Sequence, residues 1–127
     1  MTALHPVFSL LGRVLLSAIF ILGGYGKLMN PAGTVAYMKS ALVPLPSPEL
    51  LVWGVIALEL LGGLAILFGV LSRSAALLLA GFTLVAAVLF HWKPADQIQH
   101  IMFMKNLAIA GGLMLLAANG PGRWGRG

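Results

Sequence analysis

Residues 50–71, LLVWGVIALELLGGLAILFGVL, form an apolar run with a single ionisable side chain, Glu59, near its middle. A helix needs roughly 20 such residues, at a rise of about 1.5 Å each, to cross the hydrocarbon core of a bilayer. A carboxylate at that depth costs about 3 kcal/mol on insertion scales, so a chain that retains one gives it a partner, a water-filled cavity or a task.

Working outward, three further stretches have the same length and character, at about 7–28, 73–91 and 99–118, and the first run extends to about 48–71. The chain is 60% hydrophobic and 9% charged, with mean hydropathy +0.99, where soluble domains carry about a quarter charged residues. These features predict an all-α protein: an integral membrane four-helix bundle, one domain over residues 1–127, with both termini on the same side. The first stretch is too long for the core of a signal peptide and has no small-residue cleavage site, so it reads as a retained helix. The 127 residues include no cysteine. Disulfides, thiolate chemistry and cysteine-ligated centres are therefore excluded, and redox chemistry would have to come from a quinone, a bound cofactor or a partner. The net charge of +5 sits mainly at helix ends, which suits lipid head groups and not nucleic acid.

Four crossings place the termini and the turn Gly69-Val70-Leu71-Ser72-Arg73 on one side, A. Arg13, Arg73, Arg123 and Arg126 fall there, against Lys27, Lys39, Lys93 and Lys105 on side B. The counts tie. Lys27 and Lys105 are embedded at helix ends and not in loops, so side A is read as cytoplasmic. The first side-B connection, 29–47, holds Pro31, Pro44 and Pro46, with a short interfacial helix expected over Thr34 to Leu42. Pro48 suits the first turn of the second span, with Ser47 as its N-cap. Leu58–Leu64 and Leu107–Leu113 form a weak repeat around Gly62-Gly63 and Gly111-Gly112. Such glycines let helix backbones approach closely in lipid.

At 1.5 Å per residue, Glu59 lies roughly 16 Å below side B, Lys105 and Asn106 roughly 8 to 10 Å below it, and Tyr25 and Lys27 nearer the surface. A long lysine side chain and ordinary helix tilt bring Lys105 within reach of Glu59. The candidate ligand-binding set is therefore Glu59, Lys105, Asn106, Tyr25 and Lys27, with His91 and His100 at its rim, forming a polar pocket open toward side B. The competing reading is an ion pair that only glues helices together. His91, Asp96 and His100 match no metal-ligand spacing, so no metal is expected. Arg13 reads as a side chain that snorkels to side-A head groups. No phosphate loop and no nucleophile with its base can be picked out, which leaves hydrolase chemistry without support and catalytic residues unassigned.

Gly12-Arg13-Val14-Leu15-Leu16, Phe20 through Gly23-Gly24-Tyr25-Gly26-Lys27-Leu28, Glu59 before Gly62-Gly63, Met104-Lys105-Asn106-Leu107 before Gly111-Gly112, and Gly120-Pro121-Gly122-Arg123-Trp124 follow in order along nearly the whole chain. Together they resemble the DoxX family of small bacterial inner-membrane proteins. The resemblance implies a four-helix bundle in the bacterial cell inner membrane, multi-pass, and an association with membrane redox systems, including quinone-reducing subunits of thiosulfate oxidation. It marks Arg13, Lys27, Glu59, Lys105 and Asn106 as motif positions and assigns no catalytic role to any of them. Family members often end in a Ser-Leu-Asp-like segment after the tryptophan; here Gly125-Arg126-Gly127 follows. The expectation is an oxidoreductase-associated membrane subunit that binds a quinone or similar amphipathic ligand, alongside membrane lipids, a redox partner protein or a second copy of itself. A small proton-coupled transporter and a non-catalytic anchor for soluble redox enzymes are the alternatives.

Overall fold

The computed structural model describes residues 4–93 and 95–127; Pro94, in the third connection, lies outside the described residues. Among the described residues five helices follow one another: α1 (His5–Met29), α2 (Pro31–Met38), α3 (Pro48–Phe68), α4 (Ser72–His91) and α5 (Gln97–Asn119). All but α2 are long and apolar enough to cross a membrane. The described residues contain no strand. α1 packs mainly on α3 and α4 mainly on α5, giving two antiparallel hairpins joined along the α3–α4 contact.

Each long helix buries a narrow stripe. On α1 it is Arg13, Ser17, Phe20 and Gly24; on α3 Val52, Ile56, Glu59, Gly63 and Ile66; on α4 Ser72, Ala76, Leu79, Thr83 and Ala87. The three- and four-residue spacing is that of one helix face. Large apolar side chains such as Leu15, Leu22, Leu61, Leu77 and Leu115 point outward, as a lipid-facing surface requires. The interior combines small and polar residues with a few large apolar ones such as Phe20, Ile66, Leu79 and Leu113, and the small residues let the membrane helices approach closely. Gly62 admits Leu79, and Gly63 admits Ile21 and Phe20; an added Cβ would lie 3.0 Å from Leu79 Cδ1 and 2.8 Å from Ile21 Cγ1 respectively.

The first turns of α1, the α3–α4 turn and the C-terminal tail gather at one end of the bundle, end A. Arg13 fixes them there. Its side chain is 2% exposed and donates to the carbonyls of Ile66 (3.2 Å), Leu67 (3.3 Å) and Trp124 (2.9 Å). The snorkelling expected of Arg13 is thus corrected: the guanidinium fork donates to two of the last carbonyls of α3, Ile66 and Leu67, and clasps the tail. Gly69 makes this possible, because its backbone is left-handed (φ 71°) and any Cβ would overlap Arg13 Nη1. Gly69 also ends α3 by hydrogen bonds from its own N–H and that of Val70 back to Ile66 and Ala65.

At end B, Asn30 caps α2 by accepting from the Gly33 N–H at 3.1 Å, and Pro31 opens the helix. The interfacial helix therefore starts and stops three to four residues earlier than its sequence suggests. Ser47 does precede α3, but in a left-handed conformation (φ 44°) with no side-chain cap, so its backbone carbonyl alone receives Leu50 and Leu51. Asp96 caps α5 through Oδ1, which accepts from Ile98 and Gln99 at 3.0 and 3.2 Å. That role starts α5 at Gln97, earlier than expected, and occupies the aspartate beside the two histidines.

Candidate functional site

Glu59 lies on the buried stripe of α3, 5% exposed, and its Oε1 pairs with Lys27 Nζ at 2.6 Å. The partner comes from α1, not from α5. The contacts between α1 and α3 explain why. Gly24 is level with Glu59 and Leu60, and Phe20 and Ile21 are level with Gly63. By that register Met29, the last residue of α1, is level with about residue 54 or 55 of α3, so α3 projects beyond α1 by roughly 9 Å. Glu59 is deep when counted from the start of α3 but close to the end of α1, within reach of a lysine two residues from that end. α2 fills the space beneath the projecting turn.

Lys105 is exposed on the outer face of α5, whereas its neighbour Asn106 is half-buried and donates Nδ2 to the Thr83 carbonyl at 3.4 Å. Consecutive residues point about 100° apart around a helix, so only one of the two can face α4. Tyr25 is 57% exposed for the same reason, since Gly24 occupies the face of α1 that meets α3. The structure therefore brings together Lys27, Glu59 and Asn106, and leaves Lys105 and Tyr25 outside that group.

These three residues line a cavity of about 190 Å³ between the hairpins. One water needs about 10–15 Å³ of such space, so the cavity has room for several waters or a ring-sized group. Phe20, Phe82 and Phe90 supply aromatic walls, Met38 and Tyr37 reach in from α2, and Thr83 and His91 add polar groups from α4. Gly23 keeps the acid's side open, because a Cβ there would stand 3.3 Å from Glu59 Oε2 and 3.7 Å from Lys27 Nζ. A wider groove shares Lys27, Thr34, Tyr37 and His91 with the cavity and extends past Asn30 and Gly33 at end B.

The rim is ordered by two contacts. Tyr37 stacks on Phe90 with ring centres 5.2 Å apart, holding α2 against α4. His91 Nδ1 lies 2.7 Å from Gln99 Oε1, which ties the end of α4 to the start of α5. A carboxamide oxygen only accepts, so Nδ1 is the donor in this contact. His100, by contrast, is exposed on α5.

Sequence reasoning missed Thr83 and Tyr37. For Thr83 a signal existed, since it is the one hydroxyl within the 73–91 span at mid-depth, three residues from the Ala80 and four from the Ala87 of a small-residue stripe. Tyr37 had none, because its position depends on where α2 folds back.

Chemically, the site offers a cation and a carboxylate in contact, a carboxamide, a hydroxyl and aromatic walls, all reached from one end of the bundle. Such a set can bind an amphipathic molecule by its polar head and can hand a proton to it or take one from it.

The DoxX family model matches residues 8–92 of the chain. The inner membrane protein YqjF of Escherichia coli (strain K12) is 48% identical over 127 residues, spanning 98% of this chain and 92% of YqjF. The inner membrane protein YphA of the same organism is 36% identical over 125 residues, spanning 94% of this chain and 88% of YphA. No solved structure matches.

Proposed function

The chain belongs to the DoxX family of integral membrane proteins, and from that premise we propose that its intramembrane cavity binds the head group of a small amphipathic molecule, a quinone above others. The observation that carries this reading is the Lys27–Glu59 contact facing an aromatic-walled cavity beside a groove that extends to end B. A pair built only as glue would be enclosed by packing; this one fronts open space. Lys27 Nζ and Asn106 Nδ2 are donors suited to ring oxygens, Glu59 is suited to hold or release a proton, and the groove gives a tail a way out. When bound, a quinone supplies two-electron, two-proton chemistry. A chain without cysteine would rely on a partner subunit for the electrons.

The reading extends to location. We place the protein in the cell inner membrane, as its relatives' names suggest, with end A in the cytoplasm. The support is that all four arginines gather at end A, while Glu49 and Asp96 belong to end B. The absence of native cysteine makes the check clean. Ser40→Cys should react with a membrane-impermeant maleimide on intact cells and Gly127→Cys only after lysis; the reverse pattern would invert the orientation.

The test of ligand binding is a titration of the purified protein in lipid nanodiscs with a short-tailed para-quinone. Glu59→Gln and Lys27→Met are expected to weaken binding at least tenfold, and Lys105→Met to leave it within twofold. Binding that survives both cavity changes would remove the site. Proton-coupled transport is a second reading, favoured by one observation: the bundle is open at end B and clasped shut by Arg13 at end A, as one half of an alternating cycle would be. Proton-dependent uptake into proteoliposomes that fails in Glu59→Gln would decide for it.

A further inference from the structure

The ion pair belongs to the α1–α3 wall of the cavity; the opposite wall, from α4 and α5, carries Thr83 and Asn106. Thr83 is 4% exposed, and its Oγ1 has no hydrogen-bond partner among the described residues. Hydroxyls within helices ordinarily turn back onto a carbonyl three or four residues earlier. Ser17 does so, donating to Val14 at 3.1 Å, and Thr34 donates to the Asn30 carbonyl at 3.4 Å. Thr83 does not, although it lies in the interior of a membrane helix where an unmade hydrogen bond is expensive. Its backbone carbonyl is meanwhile held by Asn106 Nδ2 at 3.4 Å, which fixes the carboxamide beside the free hydroxyl.

We infer that Thr83, with Asn106 beside it, is a second polar pole of the cavity, and that the site selects ring ligands carrying hydrogen-bonding oxygens at two opposed positions. One oxygen faces Lys27 and Glu59; the other accepts a hydrogen bond from the Thr83 hydroxyl. This rests on the reading of the cavity as a ligand site and adds the specificity of that site. A ligand with one polar end would leave Thr83 as unsatisfied as it is in the free protein, whereas a ring with two would satisfy both walls at once. The phenylalanine rings of the walls, Phe20 from α1 and Phe82 and Phe90 from α4, then contact the ring's faces and edges.

The experiment compares two probes that share a two-ring frame, para-naphthoquinone with two carbonyls and alpha-tetralone with one, titrated against the protein in nanodiscs. Thr83→Val keeps the side-chain shape and removes the hydroxyl. It is expected to weaken naphthoquinone binding about fivefold, the worth of one neutral hydrogen bond, while tetralone binding stays within twofold. Thr83→Ser, which restores a hydroxyl, is expected to bind naphthoquinone as the wild type does. Equal weakening for both probes would mean that Thr83 only packs, and no weakening for either would likewise overturn the second pole. If Glu59→Gln abolishes naphthoquinone binding while Thr83→Val leaves it intact, only this inference falls. If the wild type binds neither probe, the ligand site itself falls. Should Thr83→Val lower the unfolding midpoint in detergent, Thr83→Ala provides the comparison, judged by the same ratio between probes.

Discussion

Arg13→Met isolates what the end-A clasp contributes. The guanidinium serves three carbonyls, at 3.2 Å (Ile66), 3.3 Å (Leu67) and 2.9 Å (Trp124). Ile66 keeps a second partner in the Gly69 N–H, so the substitution strips the Arg13 donor from Leu67 and Trp124 without that backup. A dry unpaired carbonyl costs about 1–3 kcal/mol, and since both of these are only part-buried the lower end applies, giving a total of about 2–3 kcal/mol. Against this stands the desolvation of a charge that is 2% exposed, which methionine would not incur. Replacing a whole buried polar group set by apolar residues is often neutral, but removing one side of it and leaving the other unpaired is the destabilising case. The net expectation is therefore a loss of about 2 kcal/mol. Arg13→Lys should recover only part of it, because an ammonium cannot span carbonyls from two segments as a planar fork does. The assay is SDS-driven unfolding in bicelles, followed by tryptophan fluorescence, together with the rate of tryptic cleavage at Arg123. Arg13→Met should shift the unfolding midpoint and speed cleavage of the released tail. An unchanged midpoint with unchanged cleavage would refute the clasp.

Three other expectations follow from contacts already described. Lys27→Met should destabilise the bundle by about 2 kcal/mol and Glu59→Gln by less, because Lys27, with its side chain 30% exposed, can turn to the end-B surface while a stranded Glu59 cannot; Lys105→Met should stay within about 0.5 kcal/mol, and equal effects of Lys27→Met and Lys105→Met would contradict the pairing. Gly63→Val should cost about 1–3 kcal/mol by forcing α1 and α3 apart, whereas Gly111→Ala, whose Cβ would meet nothing within 4 Å, should be neutral or slightly stabilising in the same unfolding assay. Asn30→Ala should lower protection of the α2 amides in hydrogen exchange, consistent with a cap worth about 1 kcal/mol, and Gly33→Ala should do the same because its Cβ would crowd the Asn30 side-chain amide; protection unchanged in both would show that tertiary contacts alone hold α2.

Membrane helices advertise themselves by length and hydropathy, so the four spans and the bundle could be read from residues 7–28, 48–71, 73–91 and 99–118 with end errors of a few residues. The acid was legible as well, because an isolated glutamate inside such a run has few uses. Its partner was not. Choosing between Lys27 and Lys105 required the relative height of α1 and α3, and counting from each helix end assumes that the ends are level. The Gly24–Leu60 and Gly63–Ile21 contacts set a register in which they are not, and no local pattern announces it. Arg13 was misread for a related reason. Near a helix start a single arginine looks like an interfacial anchor, and only the arrival of the α3 C-terminus and the tail from 53 and 111 residues away turns it inward.

The two misreadings point to one organising feature. The two cations concerned both sit on α1, half-buried Lys27 in its last turn and buried Arg13 in its third, and each meets α3: Lys27 at a carboxylate, Arg13 at terminal carbonyls. The α1–α3 hairpin is thus polar at both ends of its seam and closely packed through Gly24 and Gly63 between them. The α4–α5 hairpin offers that seam small residues, Leu79 and the Thr83–Asn106 pair. A cavity persists between hairpins only if neither can shift to close it. The Arg13 clasp at end A and the Tyr37–Phe90 stack with the Leu42 N–H to Leu89 carbonyl bond at end B oppose such closure from both sides. Loosening either end should therefore alter ligand affinity at Glu59 without touching the cavity wall, and Arg13→Met measured in the quinone titration supplies that check: affinity equal to wild type would show that the hairpins hold their spacing without the clasp.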